Sequence, residues 1–149
     1  MLNTLRKHSN RAAGYKAVLA ALLMTAGGAA SAAPVAITLC AKAGTSSSPA
    51  VPVWGYVKGA CASAVAPTAP GGPVIDVNVG DVVTVPLDNS LAEATGLSFQ
   101  GQGLPSDTTG AAAAGTKAYT FTATKAGTYL YQASPLANAQ HQVAMGLYG

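Results

Sequence analysis

Apolar and polar residues alternate in short runs along the chain, and Gly, Pro, Asn and Asp stand between the runs. Alternation with a period of two predicts β-strands, and the turn residues between them favour an antiparallel sandwich or barrel. No apolar stripe at helical spacing is present beyond Ala32. The predicted strands are residues 34–41, 51–57, 74–79, 82–87, 97–100 and 117–123, followed by a strand with Tyr129 and Tyr131 on one face.

The strongest pair of strand signals lies in the middle of the chain. Residues 74–79 and 82–87 are both rich in valine, and Gly80-Asp81 between them predicts a tight turn. Pro52 cannot donate a hydrogen bond to a neighbouring strand, so the 51–57 strand is expected at the edge of its sheet. The predicted surface loops are residues 44–49, 58–73 and 101–115.

The first 32 residues have the pattern of a secretory signal peptide. A basic lead precedes an apolar run of about ten residues at 17–26, and Ala30-Ser31-Ala32 offers the small residues that a signal peptidase reads. We expect cleavage after Ala32, which leaves residues 33–149 as a domain exported to the periplasm or secreted. The run is shorter than the ~20 residues that span a bilayer, so a retained membrane anchor is the weaker alternative.

The net charge of +3 on the whole chain comes from its leader. Beyond Ala32, four lysines stand against five acidic residues, so the predicted mature domain carries a net charge of −1. A domain with this charge offers no basic patch to a phosphate backbone. Nucleic acid is therefore excluded as an expected partner.

Two cysteines, Cys40 and Cys61, lie in the part predicted to be exported. In an oxidising compartment, two cysteines most simply form one disulfide. The bond would close a loop of about 20 residues and contribute roughly 3 kcal/mol to stability. Two free or separately buried thiols are the alternative.

Five motifs follow one another in a fixed order between residues 72 and 149. They are Gly72-Pro73-Val74-Ile75, Val79-Gly80-Asp81-Val82-Val83-Thr84-Val85 with Leu87 and Asn89, Gly115 with Tyr119 and Phe121, Gly127-Thr128-Tyr129 with Gln142, and Gly146-Leu147-Tyr148-Gly149. In this order, the motifs resemble those of the first, N-terminal cupredoxin domain of the multicopper oxidases. The resemblance implies an all-β, cupredoxin-like Greek-key β-sandwich over residues 33–149.

In the family that the chain resembles, two His-x-His pairs supply copper ligands. Residues i and i+2 of a strand point to the same face, so two such strands aim four imidazoles at one copper cluster. The positions that match these pairs are Ser98 and Gln100, and Gln132 and Ser134. Hydroxyl and amide groups replace imidazole poorly on copper. We therefore expect no metal ligand, catalytic residue or cofactor in this chain, although copper is the family's cofactor.

These four polar positions have two interpretations. They are either partly solvated residues of an inherited fold or a metal-free polar pocket, in which the side chains hydrogen-bond each other or a small ligand.

His141 is the only histidine beyond Ala32, and it precedes a strand-like end at residues 142–149. We interpret it as an ordinary surface or capping residue. Met145 lies four residues further on, as in half of a blue-copper loop. Such a site also needs a neighbouring thiolate and a second histidine, so an electron-transfer copper site is not expected.

The resemblance implies that a further stretch of strand and other domains follow Gly149. We therefore expect a truncated first domain, degenerate at the copper positions and not an enzyme on its own. One alternative is a metal-free extracytoplasmic binding or structural β-sandwich module, and another is a part of a copper-dependent oxidoreductase completed by other domains. The expected partners are further cupredoxin domains, or another chain at an open sheet edge. No stable membrane span is expected after processing.

Overall fold

The computed structural model describes residues 32–149. The signal peptide predicted at residues 1–32 lies outside this part, apart from its last residue. No helix in the described part is long and apolar enough to cross a membrane. The elements are β1 (Pro34–Ala36), β2 (Leu39–Thr45), β3 (Pro52–Lys58), β4 (Val82–Asn89), β5 (Leu97–Phe99), β6 (Thr116–Thr122), β7 (Tyr131–Ala133) and α1 (Ala139–Met145).

The larger sheet is built around β4. Its side chains alternate between solvent and core, and Val83, Val85 and Leu87 are fully buried. β6 pairs antiparallel along the whole of one edge of β4, while β1 and β2 lie in succession along the other edge, parallel to it. β3 pairs antiparallel with β2 and forms the outer strand. The edge position predicted from Pro52 is therefore confirmed.

The smaller sheet contains β5 and β7, which pair antiparallel. Residues 147–149 pair along the free edge of β7, where Tyr131 and Gly149 exchange two backbone hydrogen bonds of 2.8 Å. The inner faces of the two sheets meet in an aromatic core. Phe99 of β5 lies 4.8 Å from Phe121 of β6, and Tyr56 of β3 lies 5.8 Å from Tyr131, measured between ring centroids. The predicted all-β sandwich is confirmed.

Residues 74–79, predicted as a strand, belong to neither sheet. Their side chains do alternate, because Ile75 and Val77 pack against the core while Val74 and Val79 are exposed. Residues 74–79 do not form a hairpin with β4 across the turn at Gly80-Asp81, because both edges of β4 are already occupied. The alternation of side chains in this segment therefore predicts its extended conformation but not the strand with which it pairs.

The strand predicted at residues 34–41 is divided in the structure. β1 ends at Ala36 and β2 begins at Leu39. The final strand is also shorter than predicted, since β7 begins at Tyr131. Tyr129 lies before it, against Gly101, where an added Cβ would stand only 2.9 Å from the tyrosine ring.

The strand-like end predicted at residues 142–149 is wrong over its first half, because Ala139–Met145 forms helix α1. Ala, Gln and Met favour helix, and no Gly or Pro interrupts them before Gly146, whose φ of 120° ends the helix. Seven residues span only two turns, too few to show a helical period in the sequence. The helix packs against β3 and β7.

A disulfide joins Cys40 of β2 to Cys61 in the loop after β3. The same loop is held by two side chains of the larger sheet. Lys42 Nζ donates hydrogen bonds to the carbonyls of Cys61 (3.1 Å) and Ala64 (2.8 Å), and the backbone N–H of Cys61 donates to Asp88 Oδ2 (2.7 Å). These contacts fix the first part of a long connection, residues 59–81, to the sheet.

Candidate functional site

Ser98 and Gln132 face each other across the smaller sheet. Each comes from one of the two pairs of positions predicted to match the family's copper ligands. The register pairs Ser98 of β5 directly with Gln132 of β7. Both side chains are half-buried and lie on the face turned away from the core, while the residues on either side of them are buried. Directly opposed residues on antiparallel strands have their Cβ atoms about 5 Å apart. The structure therefore brings one member of each pair together.

Gln100 and Ser134 lie at opposite ends of this strand pair. The backbone N–H of Gln100 donates to the carbonyl of Leu130 (3.0 Å), and its side chain is exposed. The backbone N–H of Ser134 donates to the carbonyl of Gly96 (3.2 Å). Ser134 is fully buried, and its Oγ has no hydrogen-bond partner among the described residues. The four positions thus span environments from full exposure to full burial.

Space around Ser134 is too limited for a larger side chain in the present packing. A Cβ added at Gly96 would collide with Ser134 Oγ and would come within 2.8 Å of the Tyr119 hydroxyl. An imidazole at position 134 would need these neighbours to move. Glycine at position 96 is the condition for this close approach of the two backbones.

The donor atoms at these positions do not fit copper. Copper sites in proteins are built from imidazole and sulfur ligands, and Ser98, Gln100, Gln132 and Ser134 supply hydroxyl and amide groups. Within residues 32–149, no group of three or more His, Cys, Asp or Glu side chains is placed to hold a metal ion. That the chain binds no metal stays a prediction.

His141 lies on helix α1. Its exposed ring makes an edge-to-face contact with Trp54 of β3, with a centroid separation of 5.2 Å. Met145, four residues later, lies on the same side of the helix. The ring contact helps α1 to pack on the larger sheet.

Gln142 is the buried polar centre that the sequence did not reveal. It is fully buried in α1, and its Nε2 donates to Glu93 Oε1 and to the carbonyl of Ala94, both at 2.8 Å. Its Oε1 accepts from Thr95 Oγ1 at 2.9 Å. Every polar atom of this side chain is satisfied, so Gln142 ties the helix to the segment before β5. The only sequence signal was its place in the closing motif.

A second polar cluster surrounds Asp107, which lies in the loop between β5 and β6. Its carboxylate accepts hydrogen bonds from Lys117 Nζ (2.7 Å), the Tyr119 hydroxyl (2.5 Å) and the backbone N–H groups of Thr109 and Gly110. Burial by itself would raise the pKa of Asp107. The hydrogen bonds from Lys117 and Tyr119, followed by those from the backbone, outweigh burial and hold this pKa well below its usual range.

The pKa of the Tyr119 phenol shifts in the opposite direction to that of Asp107. Burial, and then the hydrogen bond to the Asp107 carboxylate, raise the pKa of Tyr119 far above its usual range. The phenol therefore stays protonated at neutral pH and donates its hydrogen bond to Asp107. The Asp-Thr-Thr-Gly turn at residues 107–110 was a visible signal for local hydrogen bonding. The sequence did not reveal the partners Lys117 and Tyr119, because they lie on β6 and not in the loop that contains Asp107.

Replacement of Asp107 with asparagine is expected to lower the free energy of unfolding at pH 7 by about 2 kcal/mol, because Lys117 and Tyr119 lose a charged acceptor. A depressed folded-state pKa stabilises the fold above the unfolded pKa, near 3.8, and this contribution is lost as the pH falls below that value. The difference in the free energy of unfolding between wild type and variant should therefore become smaller below pH 3.8. Urea denaturation between pH 2.5 and 7 measures it.

The exposed carboxylate of Asp76 supplies the control for that experiment. D76N should leave the free energy of unfolding within about 0.5 kcal/mol of the wild type. If the free energy of unfolding of D107N ran parallel to that of the wild type at all pH values, the carboxylate charge would not stabilise the fold.

An apolar groove lies beside β7, with a volume of about 510 Å³. Residues 74–79 form one wall and residues 127–131 the other, and Gly149 lies at its margin. Its floor includes Phe99 and Phe121 of the core.

Comparison with known proteins gives one consistent result. The family model described as multicopper oxidase matches residues 63–149. No curated protein sequence matches the chain. Three solved structures resemble the fold: a multi-copper oxidase from Pseudomonas thermotolerans (TM-score 0.65, 24% identity), a multicopper oxidase from Campylobacter jejuni (0.57, 25%) and a copper-containing nitrite reductase from Thermus scotoductus (0.58, 21%).

The alignments cover 80%, 79% and 78% of this chain, respectively, but only 29%, 27% and 27% of those proteins. The chain therefore spans less than a third of the length of these structures. The similarity confirms the predicted cupredoxin-like β-sandwich.

Proposed function

Because the chain belongs to the multicopper oxidase family, we propose that it is an exported cupredoxin-like domain that has lost the copper chemistry of the family and catalyses no oxidation by itself. The observation that carries this proposal is the Ser98–Gln132 pair. Two positions that match copper ligands face each other on adjacent strands, and both carry side chains that copper does not favour.

Two further observations support the absence of a copper site. Ser134 is fully buried and lies so close to Gly96 that an imidazole at this position would require its neighbours to move. The imidazole of His141 packs edge-to-face against Trp54 of the larger sheet. The domain then serves as a structural or binding module, and its role does not require electron transfer.

Export is supported by the leader-like residues 1–32 and by the Cys40–Cys61 disulfide. Structural disulfides form and persist in oxidising compartments. Cleavage after Ala32 would place Ala33 at the mature N-terminus, one residue before β1.

The test begins with protein produced through its own leader and recovered from the periplasm or medium. Its intact mass should correspond to residues 33–149 with one disulfide. Titration with Cu²⁺, followed by an assay of phenol oxidation, should give neither stoichiometric copper binding nor turnover above the buffer. Tight stoichiometric copper with turnover would overturn the proposal.

A second candidate function follows from the coverage of the related structures. Because the chain spans less than a third of their length, it would be one part of a copper-dependent oxidoreductase completed by other cupredoxin domains. In that case the half-buried outer face at Ser98 and Gln132 would lie against a neighbouring domain. Oxidase activity on mixing with such domains, and none in the isolated chain, distinguishes this candidate from the first.

Introduction of histidine at positions 98 and 132 should create a copper site on the strand pair. The double variant Ser98→His/Gln132→His places two imidazoles on directly opposed positions, close enough to share one ion. We expect it to bind Cu²⁺ at least about tenfold more tightly than the single variant S98H, a difference of about 1.4 kcal/mol. Isothermal titration calorimetry measures both. Equal affinities would mean that the two side chains do not converge on one ion.

A further inference from the structure

Asp81 carries a buried carboxylate at the turn that precedes β4. Only 4% of this residue is exposed, and no lysine, arginine or histidine among residues 32–149 forms an ion pair with it. Its oxygens accept hydrogen bonds from two backbone groups, the N–H of Asn78 (2.8 Å to Oδ2) and the N–H of Ala33 (3.3 Å to Oδ1). Because buried charges in proteins are normally paired with an opposite charge, a carboxylate in this environment favours a cationic partner.

The backbone of Ala33 is held beside this carboxylate by the start of the larger sheet. While the N–H of Ala33 donates to Asp81, its carbonyl accepts a 3.1 Å hydrogen bond from the N–H of Val82. Pro34, the next residue, begins β1 and pairs with Val82 in parallel register. The carbonyl of Asp81 in turn accepts from the N–H of Ala123 at 3.0 Å. Main-chain hydrogen bonds therefore fix both the nitrogen of Ala33 and the residue that bears the carboxylate.

Cleavage after Ala32 would change the chemistry of this nitrogen without requiring it to move. In the precursor, the nitrogen belongs to a peptide bond and offers one neutral N–H. In the cleaved protein it becomes the α-amino group, which is mostly protonated at pH 7. An ammonium group has three N–H donors, so one can bond to Asp81 while the others stay in contact with water at the exposed residue Ala33. A charge-assisted hydrogen bond, roughly twice as strong, then replaces a neutral one.

We propose that Asp81 binds the α-ammonium group that removal of the signal peptide creates at Ala33, and that processing thereby completes the fold. The inference rests on the cleavage after Ala32 proposed above, and it is independent of copper. The ion pair joins the first residue of the mature chain to the turn before β4, the strand around which the larger sheet is built. In the precursor the nitrogen of Ala33 carries no charge, so the mature protein is the more stable form.

Thermal denaturation of two forms of the protein, both with the disulfide intact, tests the ion pair. One form begins at Ala33, and the other keeps Ala30-Ser31-Ala32, which moves the α-ammonium group by up to about 10 Å. A site-specific protease releases both forms from a fusion partner, so the comparison does not depend on export. The form that begins at Ala33 should have a Tm higher by about 5 °C. Equal Tm values would overturn the inference.

The variant Asp81→Asn separates the ion pair from other effects of the three extra residues. Asparagine keeps an oxygen that can accept from a backbone N–H, but it removes the charge. D81N should reduce the Tm difference between the two forms to less than about 1 °C. D76N, which changes an exposed carboxylate, should leave that difference as in the wild type. A difference that persists in D81N would assign the stabilisation to another contact of the N-terminus and overturn the inference.

The reactivity of the α-amino group gives a second readout that needs no substitution. In the form that begins at Ala33, acetylation of this group by a succinimidyl ester should be at least about tenfold slower in buffer than in concentrated urea, because the paired ammonium loses its proton less readily. The exposed amine of Lys125 serves as the internal reference. Peptide mass spectrometry measures both sites. Equal ratios in buffer and in urea would show that the ammonium group is free, and would overturn the inference.

The intact mass of the protein recovered from the periplasm or medium separates failure of this inference from failure of the proposed function. A mass that corresponds to residues 33–149, together with equal Tm values of the two forms, would overturn the ion pair and leave the proposed export intact. A mature N-terminus at another residue would overturn the proposed cleavage, and the inference with it.

Discussion

Replacement of Gln142 with alanine is expected to lower the free energy of unfolding by about 3 kcal/mol. The substitution removes the partner of the buried Thr95 hydroxyl, and it also removes the partner of two less buried groups, the Ala94 carbonyl and one oxygen of the Glu93 carboxylate. It also opens a cavity under α1 at a position that is fully buried. Because unsatisfied buried polar groups retain their full desolvation penalty, the loss exceeds that of an ordinary surface contact.

Gln140 provides the matched control on the same helix, since its side chain is exposed. Q140A should change the free energy of unfolding by less than about 0.5 kcal/mol. Guanidinium denaturation followed by tryptophan fluorescence reports both variants, because Trp54 packs against α1 through His141. A loss for Q142A no larger than that for Q140A would show that the Gln142 network does not stabilise the docked helix.

Removal of the disulfide in the double variant Cys40→Ala/Cys61→Ala is the second large effect. The two cysteines are 21 residues apart in sequence, and a cross-link of this length stabilises a fold by about 3 kcal/mol in the chain-entropy model. We expect a loss of this size in the free energy of unfolding, measured by denaturant titration under non-reducing conditions. Lys42 and Asp88 still hold the loop in the variant, so the native fold itself should persist.

Reduction supplies the internal control for that measurement. A thiol reductant should lower the stability of the wild-type protein to that of the double variant and leave the variant unchanged. If the reductant destabilised both proteins equally, the effect would not arise from the bond between Cys40 and Cys61.

The packing of the core and the positions proposed to match copper ligands lie on different faces of the same strands. The aromatic core of Phe99, Phe121 and Tyr131 joins the two sheets. Ser98 and Gln132 lie on the other face of the same strands. Because alternate residues of a strand point to opposite faces, substitution of the outer pair leaves the inner face intact. This separation would allow the family fold to persist without the copper ligands, as proposed above.

Much of the fold was predictable because its signals are local. Alternation in residues 82–87 and 117–123 identified β4 and β6, and Pro52 identified an edge strand. The motifs around Gly127 and Gly146 identified the family, since glycines at turns and aromatic residues on a strand are features of a short stretch of sequence. The match of Ser98, Gln100, Gln132 and Ser134 to the copper-ligand positions was implied by the family resemblance, and it stays a prediction.

The remaining features were not predictable, because they depend on contacts between distant segments. Helix α1 forms where its seven residues pack against β3 and β7, and an isolated segment of this length would not be stable. The Gln142 and Asp107 clusters each join residues from separate elements. Their side chains gave no pattern in the sequence that distinguished them from solvated polar residues.

The sequence by itself determined that the chain forms a β-sandwich of the multicopper oxidase family. That Ser98, Gln100, Gln132 and Ser134 match the copper-ligand positions of the family stays a prediction. Only the tertiary structure decided which strand edges are occupied. β4 is paired on both sides, so residues 74–79 keep the conformation of a strand but have no partner in the described part of the chain. The physical reason is that side-chain alternation is encoded residue by residue, whereas hydrogen bonding between strands depends on which strand edges lie beside a segment in the folded chain and in which register.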